Sequence, residues 1–404
     1  MTGKEIGVNI KPINRYTRAS VTIHYKPAMI VPKRPMQNKA TIQDVAKLAC
    51  VSPSTVSNVL NGRTERMRPE TLERIRQAIG QLGYFPNRTA RHLKTGRVDM
   101  IGVIVPSVAN PFFGAFARGV EQEALKHGYQ ILLGNSERDP ERERCYAQEL
   151  GSHGVRGLIF GSSLLTLNHL AGLVERGLHI VQLDRQTQPT DTLEMDSVSV
   201  NNQQAACLAT GHLLSLGHRR IGLVTGPLRT VSRLSRLEGY RNCLLRAGID
   251  PDPDLIWEQA LESGWGDIEG IELGQRGARE LLSRPNPPTA LVAINDMDAL
   301  GAYVGARNLG LHVPEDLSIV GIDDIMLAEA VDPPLTTVRQ PLAEIARTAV
   351  ECLIARIEGE HTGQPQHITL PPELIVRRST AQPRPDGNKG TPIWTSTSQA
   401  RQHS

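Results

Sequence analysis

No stretch of this 404-residue chain comes near the roughly 18–20 consecutive apolar residues that a membrane-spanning helix needs. Nor does the N-terminus carry the unbroken apolar core of an export signal, because His24, Lys26 and Pro27 interrupt its most hydrophobic part. Cysteine is sparse and unpatterned: five residues, at 50, 145, 207, 243 and 352, with no C-x-x-C and no histidine partner at metal-ligand spacing. Neither a disulfide framework nor a metal site is expected from such a set. Catalytic signatures are missing as well. G-x-S-x-G, G-x-x-x-x-G-K-[ST], H-E-x-x-H and clustered histidines are all absent, which removes the commonest templates for acyl transfer, nucleotide hydrolysis and metal-assisted hydrolysis. From Gln382 onward the chain is rich in Pro, Ser and Thr and lacks leucine heptads, so no tetramerising coiled coil is supported. These absences point to a cytoplasmic protein with no membrane attachment, no metal and no cofactor.

The length allows two or three domains, and 39% hydrophobic residues is ordinary for a globular chain. A formal net charge of +3 conceals a strong polarity. Of 45 Lys/Arg and 42 Asp/Glu, residues 1–97 hold 18 and 5, leaving 27 and 37 for residues 98–404. A basic head on an acidic body suits docking to a polyanion, because each phosphate neutralised releases counterions.

Within that head, residues 41–62 read T-I-Q-D-V-A-K-L-A-C-V-S-P-S-T-V-S-N-V-L-N-G. Ile42, Val45, Ala46 and Ala49 form one apolar stripe at helical spacing, and Val56, Val59 and Leu60 form a second. Thr41 stands at an N-cap position with Asp44 three residues on, and Ser52 caps a second helix opened by Pro53. Two helices this short and this close make a helix-turn-helix, whose second member lies in the major groove. A third helix follows from Pro69, carrying Leu72, Ile75, Ile79 and Leu82, and ends at Gly83.

This stretch, continued through Leu82-Gly83-Tyr84 and Arg91-His92-Leu93-Lys94, resembles the DNA-binding headpiece of the LacI/GalR family of transcription regulators. One departure is Cys50, where the family often has glycine; a left-handed backbone there strains cysteine by about 1 kcal/mol. The resemblance assigns base reading to Pro53, Ser54 and Asn58. Asn58 is suited to adenine, Ser54 to either kind of base and Pro53 to a thymine methyl. Thr41, Thr55, Ser57 and Asn61 are expected at phosphates or as caps, with Arg91 at a phosphate. Residues 86–97 match the family's hinge helix, and Leu93 is the apolar wedge expected in the minor groove. Residues 1–38, with seven Lys/Arg and one Glu, read either as a flexible basic arm or as sequence ahead of a natural start at Met36.

Beyond residue 98 apolar runs alternate with helical periodicity, the mark of parallel α/β units. Strands are expected at 100–105, 130–133, 157–160 and 179–183, and a second set at 220–225, 291–294 and 317–321. The expected architecture is therefore a small all-α headpiece at 39–85 joined to an α/β body at 98–380. By resemblance that body is the two-lobed, type I periplasmic-binding-protein-like effector domain, and residues 381–404 form a disordered tail. Ligands of such sheets bind beyond the carboxyl ends of the strands. By resemblance and position, the effector-binding candidates are Phe112, Phe113, Asp184, Thr230, Ser232, Arg236, Trp265 and Asp296. Aspartate accepts from sugar hydroxyls, arginine donates a fork of hydrogen bonds, and tryptophan covers an apolar ring face.

The chain is thus expected to be a regulator of transcription, a repressor, that binds double-stranded operator DNA as a homodimer and answers to a small effector, a sugar or a sugar derivative. A transporter-feeding binding protein would need an export signal and no basic headpiece, and an enzyme would need a catalytic constellation. Leu93→Ala is expected to weaken operator binding far more than nonspecific binding in competition titrations. Equal losses on both would remove the wedge assignment.

Overall fold

The computed structural model describes residues 40–60, 62–65, 67–85, 98–192, 194–259 and 270–384. The chain divides into two compact units, Met1–Lys94 and Thr95–Ser404. Asn61, Arg91, Leu93, Trp265, the arm at 1–38 and the hinge segment at 86–97 lie outside the described residues.

In the first unit three helices, α1 (Ile42–Leu48), α2 (Pro53–Leu60) and α3 (Pro69–Leu82), close on a core of Val45, Ala46, Ala49, Val56, Ile75 and Ala78. A reciprocal cap starts α1: the Asp44 amide donates to Thr41 Oγ1 at 3.3 Å and the Thr41 amide donates to Asp44 Oδ2 at 2.8 Å. The Thr41 hydroxyl, donating to Asp44 Oδ2 at 2.7 Å, and after it the Thr41 amide hold the Asp44 carboxyl below its usual range. Ser52 caps α2 by accepting the Thr55 amide at 3.2 Å. The turn between them is tight enough to force Cys50 to φ 52, the left-handed conformation that the usual glycine would adopt without strain.

The second unit is built from two six-stranded sheets. In the first lobe, β1 (Met100–Val105), α4 (Pro111–Lys126), β2 (Gln130–Asn135), α5 (Pro140–Ser152), β3 (Gly157–Phe160), α6 (Ala171–Val174), β4 (His179–Leu183) and β5 (Asp196–Val200) follow one another. The chain then crosses to the second lobe. There α7 (Asn202–Ser215), β6 (Ile221–Thr225), α8 (Val231–Arg246), β7 (Ile256–Glu258), α9 (Gly270–Leu282), β8 (Ala290–Ala293), α10 (Asp296–Asn308), β9 (Ser318–Asp323), α11 (Met326–Ala330) and β10 (Thr336–Arg339) follow. It returns after Arg339 to add α12 (Leu342–Glu358) and β11 (His367–Leu370) to the first lobe. It crosses again after Leu370 to add β12 (Glu373–Ile375) to the second.

The sheet orders are β11-β5-β4-β3-β1-β2 and β12-β10-β9-β8-β6-β7. Every ladder is parallel except that of β12 with β10. Apolar runs such as 101–105 and 290–293 are buried throughout, as strands covered on both faces by helices must be. Residues at or past the carboxyl ends of parallel strands of both lobes line one crevice, and the crossing segments form the hinge between the lobes. Beyond 380 the chain differs from expectation. The Ala381 carbonyl accepts from Ser318 Oγ at 3.1 Å, and Arg384 pairs with Asp316 at 2.5 Å, so residues 381–384 are tied to the second lobe.

Helices α9 and α10 cross at backbone contact. A methyl group on Gly301 would lie 2.1 Å from the Ile271 carbonyl oxygen, and one on Gly274 would lie 1.9 Å from that of Asp298. Only glycine allows this approach, and it brings the start of α10 to the crevice. Gly301→Ala is expected to cost about 2–3 kcal/mol by forcing the two helices apart, seen as a lower midpoint in urea or thermal unfolding of the whole chain. An unchanged midpoint would mean that the crossing has slack.

Candidate functional site

Two sites follow from this fold, one in each unit. On the first, α2 bears no acidic or basic side chain, so its positive N-terminal end is unopposed by charge of its own. Pro53, Ser54 and Asn58 are exposed along its outer face, Thr55 and Ser57 are half-buried, and Thr41 is exposed beside α1. Ser52 Oγ lies 2.6 Å from Ser54 Oγ and 2.8 Å from Thr55 Oγ1, a hydroxyl cluster at the first turn of the helix. The Thr41 hydroxyl is spent on Asp44, at 2.7 Å.

In the second unit a crevice opens between the lobes around a cavity of about 50 Å³. From the first lobe come Asn110, Phe112 and Phe113 after β1, Arg138 after β2, Ser163 after β3 and Asp184 after β4. From the second come Ser232, Arg233 and Arg236 on α8, Asn295 after β8, Asp323 at the end of β9, and Gln340 after β10. The two phenyl rings meet edge to face, 5.1 Å between centroids, and Asn110 fixes their helix by accepting the Phe112 amide at 3.0 Å.

Arg236 is the central charge. Its Nε donates to Asn202 Oδ1 and its Nη1 to the Ile294 carbonyl, each at 2.6 Å. Its Nη2 stands 4.0 Å from Asp184 Oδ2 and 3.8 Å from Asp323 Oδ1. Asn202 completes the link by donating to Asp184 Oδ1, and Gln340 donates to Asp323 Oδ1 at 2.7 Å. Burial pushes both carboxyl pKa values up and Arg236 pulls both down; for Asp323 burial wins by a wide margin, with Asp296 adding to it.

Backbone strain collects at the same place. Arg138 (φ 57), Ser163 (φ 54), Asp184 (φ 56) and Asp323 (φ 138) all line the crevice in conformations that side-chain-bearing residues avoid. Each costs on the order of 1–3 kcal/mol and persists because the surrounding fold over-determines it. Ser163 also joins the lobes: its carbonyl accepts the Val231 amide at 2.9 Å and its hydroxyl accepts the Ser232 amide at 3.2 Å.

The crevice therefore gathers Phe112, Phe113, Asp184, Ser232 and Arg236, all expected there. Two expected members are elsewhere. Thr230 is wholly buried at the N-cap of α8, its hydroxyl accepting the Arg233 amide at 3.2 Å. Asp296 is wholly buried beneath the crevice. Thr337 Oγ1 donates to one of its oxygens at 2.5 Å and the Ile325 amide to the other at 2.9 Å. It holds β10 and the start of α11, so Asp323 and not Asp296 presents the second carboxylate. Arg138, Ser163, Arg233, Asp323 and Gln340 were missed, although each lies at or just past a strand end or on the first turn of α8. Among the described residues no group of His, Cys, Asp and Glu is arranged to hold a metal ion, and no helix is long and apolar enough to cross a membrane.

Each unit also matches a known family model. Residues 41–87 match the model of bacterial regulatory proteins of the lacI family, and residues 210–380 match that of a periplasmic binding protein-like domain. The transcriptional repressor PurR of Aliivibrio salmonicida is 36% identical over 340 residues, covering 84% of this chain and 98% of its own. The chain belongs to the LacI family. Among solved structures, the complex of the transcriptional regulator CelR with cellobiose is 33% identical with a TM-score of 0.61, covering 84% of this chain and 99% of its own. The lac repressor dimer bound to operator and the anti-inducer ONPF is 28% identical with a TM-score of 0.70, covering 85% and 99%. Like its relatives, this LacI-family chain is a helix-turn-helix regulator of transcription.

Asp296 also sets a pH dependence. Burial lifts its pKa to about 6, against the hydrogen bonds from Thr337 and Ile325. A carboxyl raised on folding contributes stability that is fully present below its unfolded value, near 3.8, and is lost as pH rises through about 6. The melting temperature of the wild-type chain is expected to fall between about pH 4 and 6.5 by more than that of Asp296→Asn. Parallel pH profiles would contradict this.

Proposed function

We propose that this LacI-family regulator is a dimeric repressor of the cytoplasm, with no catalytic activity, whose grip on operator DNA is set by a small polyhydroxylated effector in the crevice of the second unit. The observation that carries the proposal is one buried guanidinium, Arg236, poised between two carboxylates at 4.0 and 3.8 Å beside an edge-to-face phenylalanine pair. Sugar hydroxyls bridge such carboxylates and guanidinium while the ring lies on the aromatic face. CelR holding cellobiose and the lac repressor dimer holding both operator and anti-inducer support the reading.

On the DNA side, Ser54 and Asn58 read base edges, Pro53 makes an apolar contact, and Thr55 and Ser57 face phosphate, with Thr41 setting the start of α1. Asn61, Arg91 and Leu93 take the parts that the family resemblance gives them, with residues 86–97 as the hinge. Trp265 covers the effector. Two headpieces related by a two-fold axis read the halves of a pseudo-palindrome, because one short helix contacts too few base pairs for specificity. Effector and operator change each other's affinity by one common factor.

Binding of a duplex selected by the intact protein tests the base-reading part. Asn58→Ala is expected to cost about 1–3 kcal/mol on the selected duplex and little on random duplex, and to relax preference at one position in each half-site. Equal losses on both duplexes would place Asn58 off the bases. Asp323→Asn is expected to remove the response of operator affinity to an effector that acts on the wild type. A retained response would contradict the crevice assignment.

A further inference from the structure

A second cavity lies away from the crevice, at the opposite end of the first lobe's sheet. It holds about 390 Å³ and opens at the amino ends of β3 and β4, between the last turn of α5 and the end of α6. A space of that size takes a small organic molecule. Its floor is apolar and already buried, with Ala147, Val155, Leu173 and Leu178 at most 8% exposed. Gly151 leaves the wall on the α5 side open, since a Cβ there would meet nothing within 4 Å.

Two cations border the same cavity. Arg156 immediately precedes β3 and Arg176 follows α6 by two residues; both are exposed, and among the described residues neither guanidinium has a hydrogen-bond or ion-pair partner. The carbonyls that end the two helices do not take them up. Those of Leu150 and Gly151 accept the Val155 and Gly154 amides at 3.1 and 3.0 Å, and those of Leu173 and Val174 accept the Leu178 and Gly177 amides at 3.1 and 2.8 Å. None of the described lining residues is acidic. His179, at the start of β4, feels the same field: burial first, and then the charge of Arg156, holds it below its usual pKa. Gln148, also on the lining, has its Oε1 occupied by Arg144 Nη1 at 3.0 Å, which leaves its amide nitrogen to donate. A buried apolar floor with unpaired cations at its edge suits an amphipathic anion. Its hydrocarbon leaves water against the floor while its carboxylate meets the guanidinium forks.

We propose that this cavity is a second ligand site, for a small organic acid with an aryl or alkyl body, whose carboxylate is held by Arg156 and Arg176. It shares no lining residue with the crevice, so the proposal stands apart from the reading of the crevice as the effector site.

Isothermal titration of the intact protein with benzoate, 3-phenylpropionate and hexanoate, each beside its neutral amide, tests this. At least one acid is expected to bind about 10-fold or more tightly than its amide. Arg156→Gln and Arg176→Gln are each expected to erase much of that preference. Gly151→Leu, which carries a side chain into open space from a helical position, is expected to abolish binding of the acid, and Gly151→Ala, too small to fill the cavity, to keep it. Amides that bind as tightly as their acids would overturn the proposal, as would acid binding that survives Gly151→Leu or both arginine substitutions. So would the failure of every one of these acids to bind.

Discussion

One buried cation, the guanidinium of Arg236, is the constraint on which the second unit depends. A charge in that position is tolerated only if every donor has a partner and a carboxylate is close. The fold supplies these from four directions: the amide of Asn202 just past the hinge, the carbonyl beyond β8, and the carboxylates beyond β4 and at the end of β9. Both lobes must be in register for that shell to close. Neither carboxylate is in direct hydrogen-bond contact with the guanidinium, so the three charges remain open to hydroxyls placed between them.

The lobes can respond to a ligand because little chain joins them. The connections after Val200, Arg339 and Leu370 are short, and across the mouth Ser163 adds contacts to Val231 and Ser232. A ligand that touches both walls favours the arrangement in which these contacts are made, and can shift the equilibrium only by its differential affinity for that arrangement. Left-handed Ser163, Asp184 and Asp323 sit where the two walls face each other. Strain is thus concentrated where closure is decided.

Much of the molecule is legible in its sequence, for identifiable reasons. The headpiece reads clearly because caps, apolar spacing and turn agree, from Thr41 and Asp44 through Cys50 to Ser52. Strands with continuous apolar runs, β1, β3, β4, β6, β8 and β9, are visible for the same reason. Strand β5, Asp-Ser-Val-Ser-Val, is not, because its polar residues are buried only by virtue of remote partners: Arg356 meets Asp196 at 2.8 Å. Strand β10 hides likewise, its buried threonines bonded to Asp296 and Ser379. The site shows the same limit. Arg236 and Asp184 enter the candidates by resemblance and position. The choice between Asp296 and Asp323 turns on which carboxylate has both oxygens occupied, and Thr337, 41 residues away, decides that. Arg138 is hidden because its loop says nothing of direction until φ is known.

What unites these observations is a DNA-reading head governed by a charged crevice, and selection of duplexes from a random-sequence pool by the intact protein examines that directly. The account predicts enrichment of a single inverted repeat whose two halves lie about one helical turn apart, as paired recognition helices require. A pool left unenriched, or enriched only in a site without two-fold symmetry, would contradict it.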